Sequence, residues 1–528
     1  MAEKVIRMST NALDGKLDSS CRSACRVLFG KEIGSLDKYS GWLGENMPKG
    51  ARRKSHASGK GVAIAFDAFP AGARFVSSEE LSLNKGYGVS MNDMKDIDSL
   101  LSALSEKCEY AGNRHLGNSA FVEDSDIVID SQYVRNSTNV EESQCVDSSF
   151  MIRKGSRHIF GCGALGNGEF LVRVTDSYGQ KRSFESSIVG TSSDCYFCHN
   201  VLGSRELLFC FGQRNKSYCI GNRELPKEKY LALKKKILSE VADRLEKEGS
   251  FPSLHELVPN VFPVAGAPKP VSAKPAMNMT PIEKGFASTY SILLKDQPAS
   301  IREYEGWLSE RTIGVHEAKT RFGTVTYLPN GMPVLSKFPK ARLVTAAESS
   351  ELAKFAVPEK SLEGLDNLVS ALPKLAYFTP ELCDGQNSNL IATPHAFNVV
   401  NAYKGFDVVY AENVALSSMA LNSRYVYGCH RVLESQFSLK CYNSQYLNRC
   451  LELDSCNRCA DSYFCHNSEA LADCMFCFNM KGARHSIGNT LLAKEEYARV
   501  KGALVSQIAD ELGKGKRLRL SVFGVGKG

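Results

Sequence analysis

The 528-residue chain has no uninterrupted run of 18 apolar residues, so no ordinary membrane-spanning helix is expected. Its opening stretch, MAEKVIRMSTNALDGKLDSS, lacks the apolar core of a secretory signal, and export is not expected either. Tryptophan is almost missing, with two in the whole chain. The glycine-rich pieces GCGALGNGEF and VFGVGKG follow no strand–turn–helix phosphate-binding pattern, so nucleotide chemistry of the P-loop or dinucleotide kind has no motif here. No motif calls for a cofactor. The net charge of +7 is mild and spread out; it permits a polyanionic partner without requiring one. Charged residues at 23% and hydrophobic residues at 43% are ordinary for a globular protein of several domains.

Cysteine, by contrast, is plentiful. Eighteen cysteines without an export signal point to a reducing compartment, the cytoplasm or a particle assembled there. In that setting they are thiols or metal ligands rather than disulfides.

Internal repetition organises the rest. The two tryptophans sit in matching phrases, SLDKYSGWLGE (Trp42) and SIREYEGWLSE (Trp307), 265 residues apart. The phrase IDSLLSAL at 97–104 matches LDNLVSAL at 365–372, a shift of 268. YFCHN recurs at 196–200 and 463–467, and IGN at 220–222 and 487–489, both shifted by 267. A near-constant shift implies a tandem duplication. The Pro- and Ala-rich VFPVAGAPKPVSAKPAMNMTP between the copies reads as a linker.

The expected organisation is therefore an N-terminal tail and α/β domain (1–120), a middle segment (121–215), a capping helix (216–250) and the linker (251–285). The second copy repeats this as 286–390, 391–482 and 483–512, followed by a basic C-terminal arm, 513–528. Each helix carries one apolar stripe: Tyr230, Leu233, Ile237, Val241 and Leu245, then Tyr497, Val500, Leu504, Ile508 and Leu512.

The middle segments have a period of three. From Thr393 to Met480 every third residue, thirty in succession, is small or apolar. The first copy shows the same ladder from Ser125 to Ile152, slips by one residue near Arg153–Gly155, and continues from Ser156 to Gln213. Three fits neither a helix nor a flat strand. It fits a chain wound with short sides and frequent corners, each third residue pointing inward. The expectation is an α+β protein with a β-solenoid (β-helix) of about five coils per copy, each taking about 18 residues, with handedness left open.

Twelve of the eighteen cysteines fall on the inward phase: Cys162, Cys195, Cys198 and Cys210 in the first copy, Cys429, Cys441, Cys450, Cys456, Cys459, Cys465, Cys474 and Cys477 in the second. The stretch CNRCADSYFCHNSEALADCMFC looks like a zinc motif, with Cys456, Cys459, Cys474 and Cys477 as the ligands it would supply. Packing is the stronger reading, because ladder positions exchange Cys with Ser and Val between copies.

His199 and His466 follow an inward cysteine, so they face outward or sit at a corner. A corner histidine serves hexapeptide acyltransferases as general base, which makes these two the catalytic alternative. Arg52, Arg53 and Lys54 in the basic loop 49–66, with Lys516, Arg517 and Arg519 in the tail, could meet phosphate or an acidic partner. The alternating RLRLSVF could also add a strand to a neighbouring subunit.

The phrases SSDCYFCHNVLGSRELLFCFGQRNKSYCIGNRELPKEKY and YFCHNSEALADCMFCFNMKGARHSIGNTLLAKEEY resemble uncharacterised cysteine-rich repeat proteins of microbial and viral genomes. The resemblance covers about half the chain and implies a shape but no catalytic residue. The function expected is a non-enzymatic structural subunit of a larger assembly, in its concrete form a virion or shell-like particle. Its partners would be other protein subunits, with nucleic acid as an alternative and no membrane.

Overall fold

The computed structural model describes residues 2–48, 50–84, 88–105, 107–261 and 277–526, with side chains from residue 11 onward. Residues 262–276 of the linker, Lys49 of the basic loop and the last two residues of the tail lie outside the described residues.

The period of three has a backbone cause. Phe121, Asp124, Ile127, Asp130, Tyr133 and Asn136 begin a long series of left-handed residues, with φ between +47° and +57°. Each stands immediately before an inward ladder residue (Val122, Ser125, Val128 and so on). A left-handed backbone costs a non-glycine residue roughly 1–2 kcal/mol, and here it turns the chain once per triplet. Four triplets complete the repeat, for Gln132 pairs in parallel with Gln144, Glu169 with Lys181 and Gln436 with Asn448, all twelve residues apart. The expected repeat of about 18 residues and five coils is thus replaced by a twelve-residue step. At Arg153–Gly155 the step becomes thirteen, where Gln144 pairs with Arg157.

Four-residue strands alternate between two sheets. In the first half these are parallel sheets of ten and eight strands, with one antiparallel end strand, Arg223–Glu224. The second half has sheets of ten and three strands, linked by single parallel bridges from Tyr442 to Lys481. The architecture is α+β with long parallel sheets. Helices Lys227–Glu248 and Lys494–Gly515 follow the last strands and bury their stripes against them, all but Leu233 fully.

Inside the stacks the apolar ladder residues form hydrophobic clusters of their own. Serine and cysteine do the same work there. Ser125 Oγ donates to the Glu123 carbonyl at 2.7 Å and accepts from Ser137 N at 3.0 Å. Cys162 Sγ donates to the Phe160 carbonyl at 3.4 Å and accepts from Val174 N at 3.3 Å. Both types donate two residues back and accept from the next repeat, so either fills the slot without leaving a buried polar group unpaired.

The segments outside the stacks cross over. Residues 62–110 share a core with residues 391–525, and residues 328–378 share one with residues 145–258. The crossing contacts come in matched pairs. Ala111 N donates to His466 Nε2 at 3.1 Å, and Thr379 N to His199 Nε2 at 3.0 Å. Ile97 N bonds Gln507 Oε1 at 3.1 Å, and Leu365 N bonds Glu240 Oε2 at 2.8 Å. Val89 packs over Gly488 as Val357 does over Gly221. The helix-borne tryptophans stay with their own half: Arg173 lies 4.7 Å from the Trp42 ring and Lys440 lies 5.0 Å from that of Trp307.

Candidate functional site

The two stacks lie side by side and run in opposite directions. Arg114, early in the first, bonds Ser455, late in the second. Arg153 bonds Asp407 at 2.9 Å, and Tyr178, further along the first, bonds Asp384 at 2.6 Å, at the start of the second. The left-handed columns meet along a buried line that includes Asn139 and Asp176 on one side and Arg431 and Asn443 on the other. The next column on each side splays away, and a groove of about 1380 Å³ opens between them.

Its second wall is a straight file with one residue per repeat: Phe397, Val409, Leu421, Leu433, Gln445, Asn457, Glu469 and Lys481. Seven steps of strand spacing make it about 34 Å long. The first wall carries Leu116, Ile129, Glu141, Arg153, Gly166 and Tyr178.

The floor holds the most perturbed carboxyl of the groove. Asp176 is 4% exposed, and among the described residues its oxygens have no hydrogen-bond partner of ordinary geometry, although the neighbouring Thr175 hydroxyl, like Arg153, favours their charge. Burial, with help from the charge of Asp407, pushes its carboxyl well above the usual range, and Arg153 only partly opposes this. His395, also 4% exposed, is pulled down to about 4 by burial and stays neutral. The floor thus sets a buried carboxyl with a raised pKa and a neutral imidazole beside the Arg153–Asp407 ion pair.

His199 and His466 are elsewhere. Both are fully buried, and both ring nitrogens are engaged. Nδ1 of His199 meets Ser187 Oγ at 2.9 Å and Nδ1 of His466 meets Asp454 Oδ2 at 2.9 Å, while each Nε2 accepts the crossing backbone N–H. Burial holds His199 down to about 3. They fasten the crossed segments and face no cleft.

Cys456, Cys459, Cys474 and Cys477 do not converge. Each Sγ donates to a backbone carbonyl two residues back, at 3.4, 3.4, 3.5 and 3.4 Å. Among the described residues no group of three or more His, Cys, Asp or Glu is placed to hold a metal ion.

The basic clusters are neutralised locally: Arg52 pairs with Asp124 at 3.0 Å, Arg53 with Asp67 at 2.8 Å, Arg517 with Glu310 at 3.5 Å and Arg519 with Glu511 at 3.4 Å. Lys54 is exposed, and Lys516 Nζ bonds the Gly513 carbonyl at 2.8 Å. The tail forms no free strand, contrary to expectation. Leu518, Leu520, Val522 and Phe523 are buried, and Val522 N bonds Glu452 Oε2 at 3.0 Å, because the apolar residues find a core within the chain.

Asp176, Asp407 and His395 carried no motif and were not expected as site residues. Their one signal is position, in the phase just before the ladder. No protein-family model matches the chain, and no curated protein matches it. Among the described residues no helix is long and apolar enough to cross a membrane.

Proposed function

We propose that the protein is a non-enzymatic interaction scaffold, a duplicated unit whose two stacks are β-solenoids and whose working surface is the groove between them. The matched crossing contacts, 267 or 268 residues apart, support the duplication. The groove carries the functional reading: it is long, lies where two rigid walls meet, and gathers unpaired polar atoms at its floor.

A lattice subunit of a virion or shell needs surface left over for other copies. Here the surface that one unit offers a second is occupied inside the chain, which favours binding in the groove over assembly. The acyltransferase alternative loses its base, since both nitrogens of His199 and His466 are committed. Nucleic acid is disfavoured too, because nine Asp and Glu line the groove against five Lys and Arg.

The test is a thermal-shift panel of oligosaccharides, extended peptides, nucleotides and oligonucleotides, with each hit mapped by hydrogen exchange. Protection should fall on the wall strands within 115–178 and 395–481. Hits that protect only the outer sheets, or a homogeneous large particle formed by the chain alone in negative stain, would overturn the reading.

A further inference from the structure

Four residues lining the groove carry buried polar atoms with no partner among the described residues: Arg153 Nε, Asp176 Oδ1 and Oδ2, His395 Nε2 and Asn457 Oδ1. Leaving such a group buried and unmet costs about 1–3 kcal/mol. Arg153, Asp176 and His395 gather at one end of the floor, with Asn457 on the second wall four repeats beyond Val409, and this spread along the groove points to an elongated occupant that meets them. The required chemistry is mixed. Arg153 Nε can only donate. The His395 ring is hydrogen-bonded to the backbone of Pro380, which has no N–H, so Nδ1 is the donor there and Nε2 is left as an acceptor. The carboxyl of Asp176, its pKa raised by burial, offers two accepting oxygens and, when protonated, one O–H that donates. Hydroxyl groups satisfy all of these without a change of charge.

Above the floor stand two partly exposed tyrosine rings, with the Arg458 guanidinium 5.8 Å over that of Tyr446. Tyr410 is 56% exposed and Tyr446 is 48% exposed. They occupy equivalent positions three repeats apart, about 14 Å along the groove. Flat apolar faces flanked by hydroxyl-binding groups match pyranose rings, whose C–H faces stack and whose edges hydrogen-bond. The acidic excess of the lining repels polyanions. A peptide that adds a strand needs a free sheet edge, and both walls present faces instead; a Pro-rich peptide, which docks in aromatic-lined grooves, is the comparator that the titration includes.

We propose that the groove binds a neutral linear oligosaccharide, its hydroxyls on Arg153, Asp176, His395 and Asn457 and its ring faces on Tyr410 and Tyr446. This rests on the groove being the working surface. The length of the wall accommodates several sugar rings, so affinity rises with chain length.

The experiment is calorimetric titration of the intact chain with hexasaccharides of glucose, mannose and N-acetylglucosamine, each beside its disaccharide. Polygalacturonate, a dodecathymidylate and an extended alanine–proline peptide serve as comparators, and hydrogen exchange locates whatever binds. At least one neutral hexasaccharide should bind, about tenfold or more tighter than its disaccharide. Tyr410→Ala with Tyr446→Ala should weaken it about tenfold, as should Asp176→Leu, whereas Asp176→Asn, which keeps a donor and an acceptor, should stay within about twofold. Melting temperatures check that each variant folds, and the exposed tyrosines provide a variant that cannot fail by unfolding the core. Failure of all three hexasaccharides to bind, or binding indifferent to both the tyrosine pair and Asp176→Leu, overturns the proposal. Peptide binding that the tyrosine variant abolishes overturns the sugar and keeps the groove; protection lying off the groove overturns both.

Discussion

At the scale of single residues the ladder explains why cysteine is abundant without being reactive. An inward thiol donates to one carbonyl and is enclosed by its neighbours, so its charged form has nowhere to go. Burial raises the Cys162 thiol to about 12 and pushes Cys198 and Cys456 well above the usual value. Cys477 is the exception: burial acts on it in the same direction, but hydrogen bonds from Cys465, Cys474 and Ser486 pull it below that value. Seventeen cysteines are buried and Cys383 alone is exposed. A thiol reagent at neutral pH should therefore label at most Cys383 in the native chain, and that one slowly because its thiol too is raised to about 12, and all eighteen in urea. The upward shifts set an alkaline limit. Below the unfolded thiol value near 8.5 both states hold the proton and the full stability is present. Above it the unfolded chain releases protons that the folded chain keeps, so stability falls as pH climbs toward the folded value. Urea midpoints should drop steeply between roughly pH 9 and pH 11. Rapid labelling of several native thiols, or a flat alkaline profile, would contradict packed, neutral cysteines.

At the scale of elements, the sequence made the ladder legible because its side chains alternate with period three. It did not reveal the twelve-residue step, since period three is silent on how many triplets close a turn. The left-handed residues were equally hidden. Tyr425, Arg431 and Phe437 occupy that conformation with full side chains, so glycine, the usual marker, is missing. At two of the glycines in this column the cause is close approach. A Cβ on Gly428 would lie 2.9 Å from the Leu308 carbonyl oxygen, and one on Gly161 would lie 3.0 Å from that of Leu43, where each tryptophan helix ends against its stack. Gly482 has the same left-handed backbone, φ +69°, and open space around it. Gly428→Ala should cost about 1–3 kcal/mol through displaced backbone, and Gly482→Ala clearly less. Equal losses in chemical denaturation would show that strain, and not the helix contact, selects glycine at Gly428.

At the scale of the whole molecule, crossing is what no local pattern announces. The phrases IDSLLSAL and LDNLVSAL look alike, yet nothing in either says which stack it will cover. The groove floor was illegible for the same reason, because Asp176 and Asp407 come from different halves and meet only after the stacks pack. The crossing makes each half incomplete. Residues 1–261 alone would expose the surface that residues 328–378 cover, with Phe211, Ile220 and Tyr230 at its centre; residues 277–526 alone would lack Phe69, Phe75 and Tyr110. An exposed apolar face of that extent drives self-association. Expressed separately, each half should pair with a second copy of itself or precipitate. Expressed together, they should purify as a one-to-one complex that melts close to the intact chain, since the covalent link adds only an effective concentration. The discriminating measurement is the mass of each half in solution beside its melting curve. A half that runs as a monomer and unfolds cooperatively would mean that the crossed segments are decoration on self-sufficient stacks, and the groove between them would lose the rigidity that binding there requires.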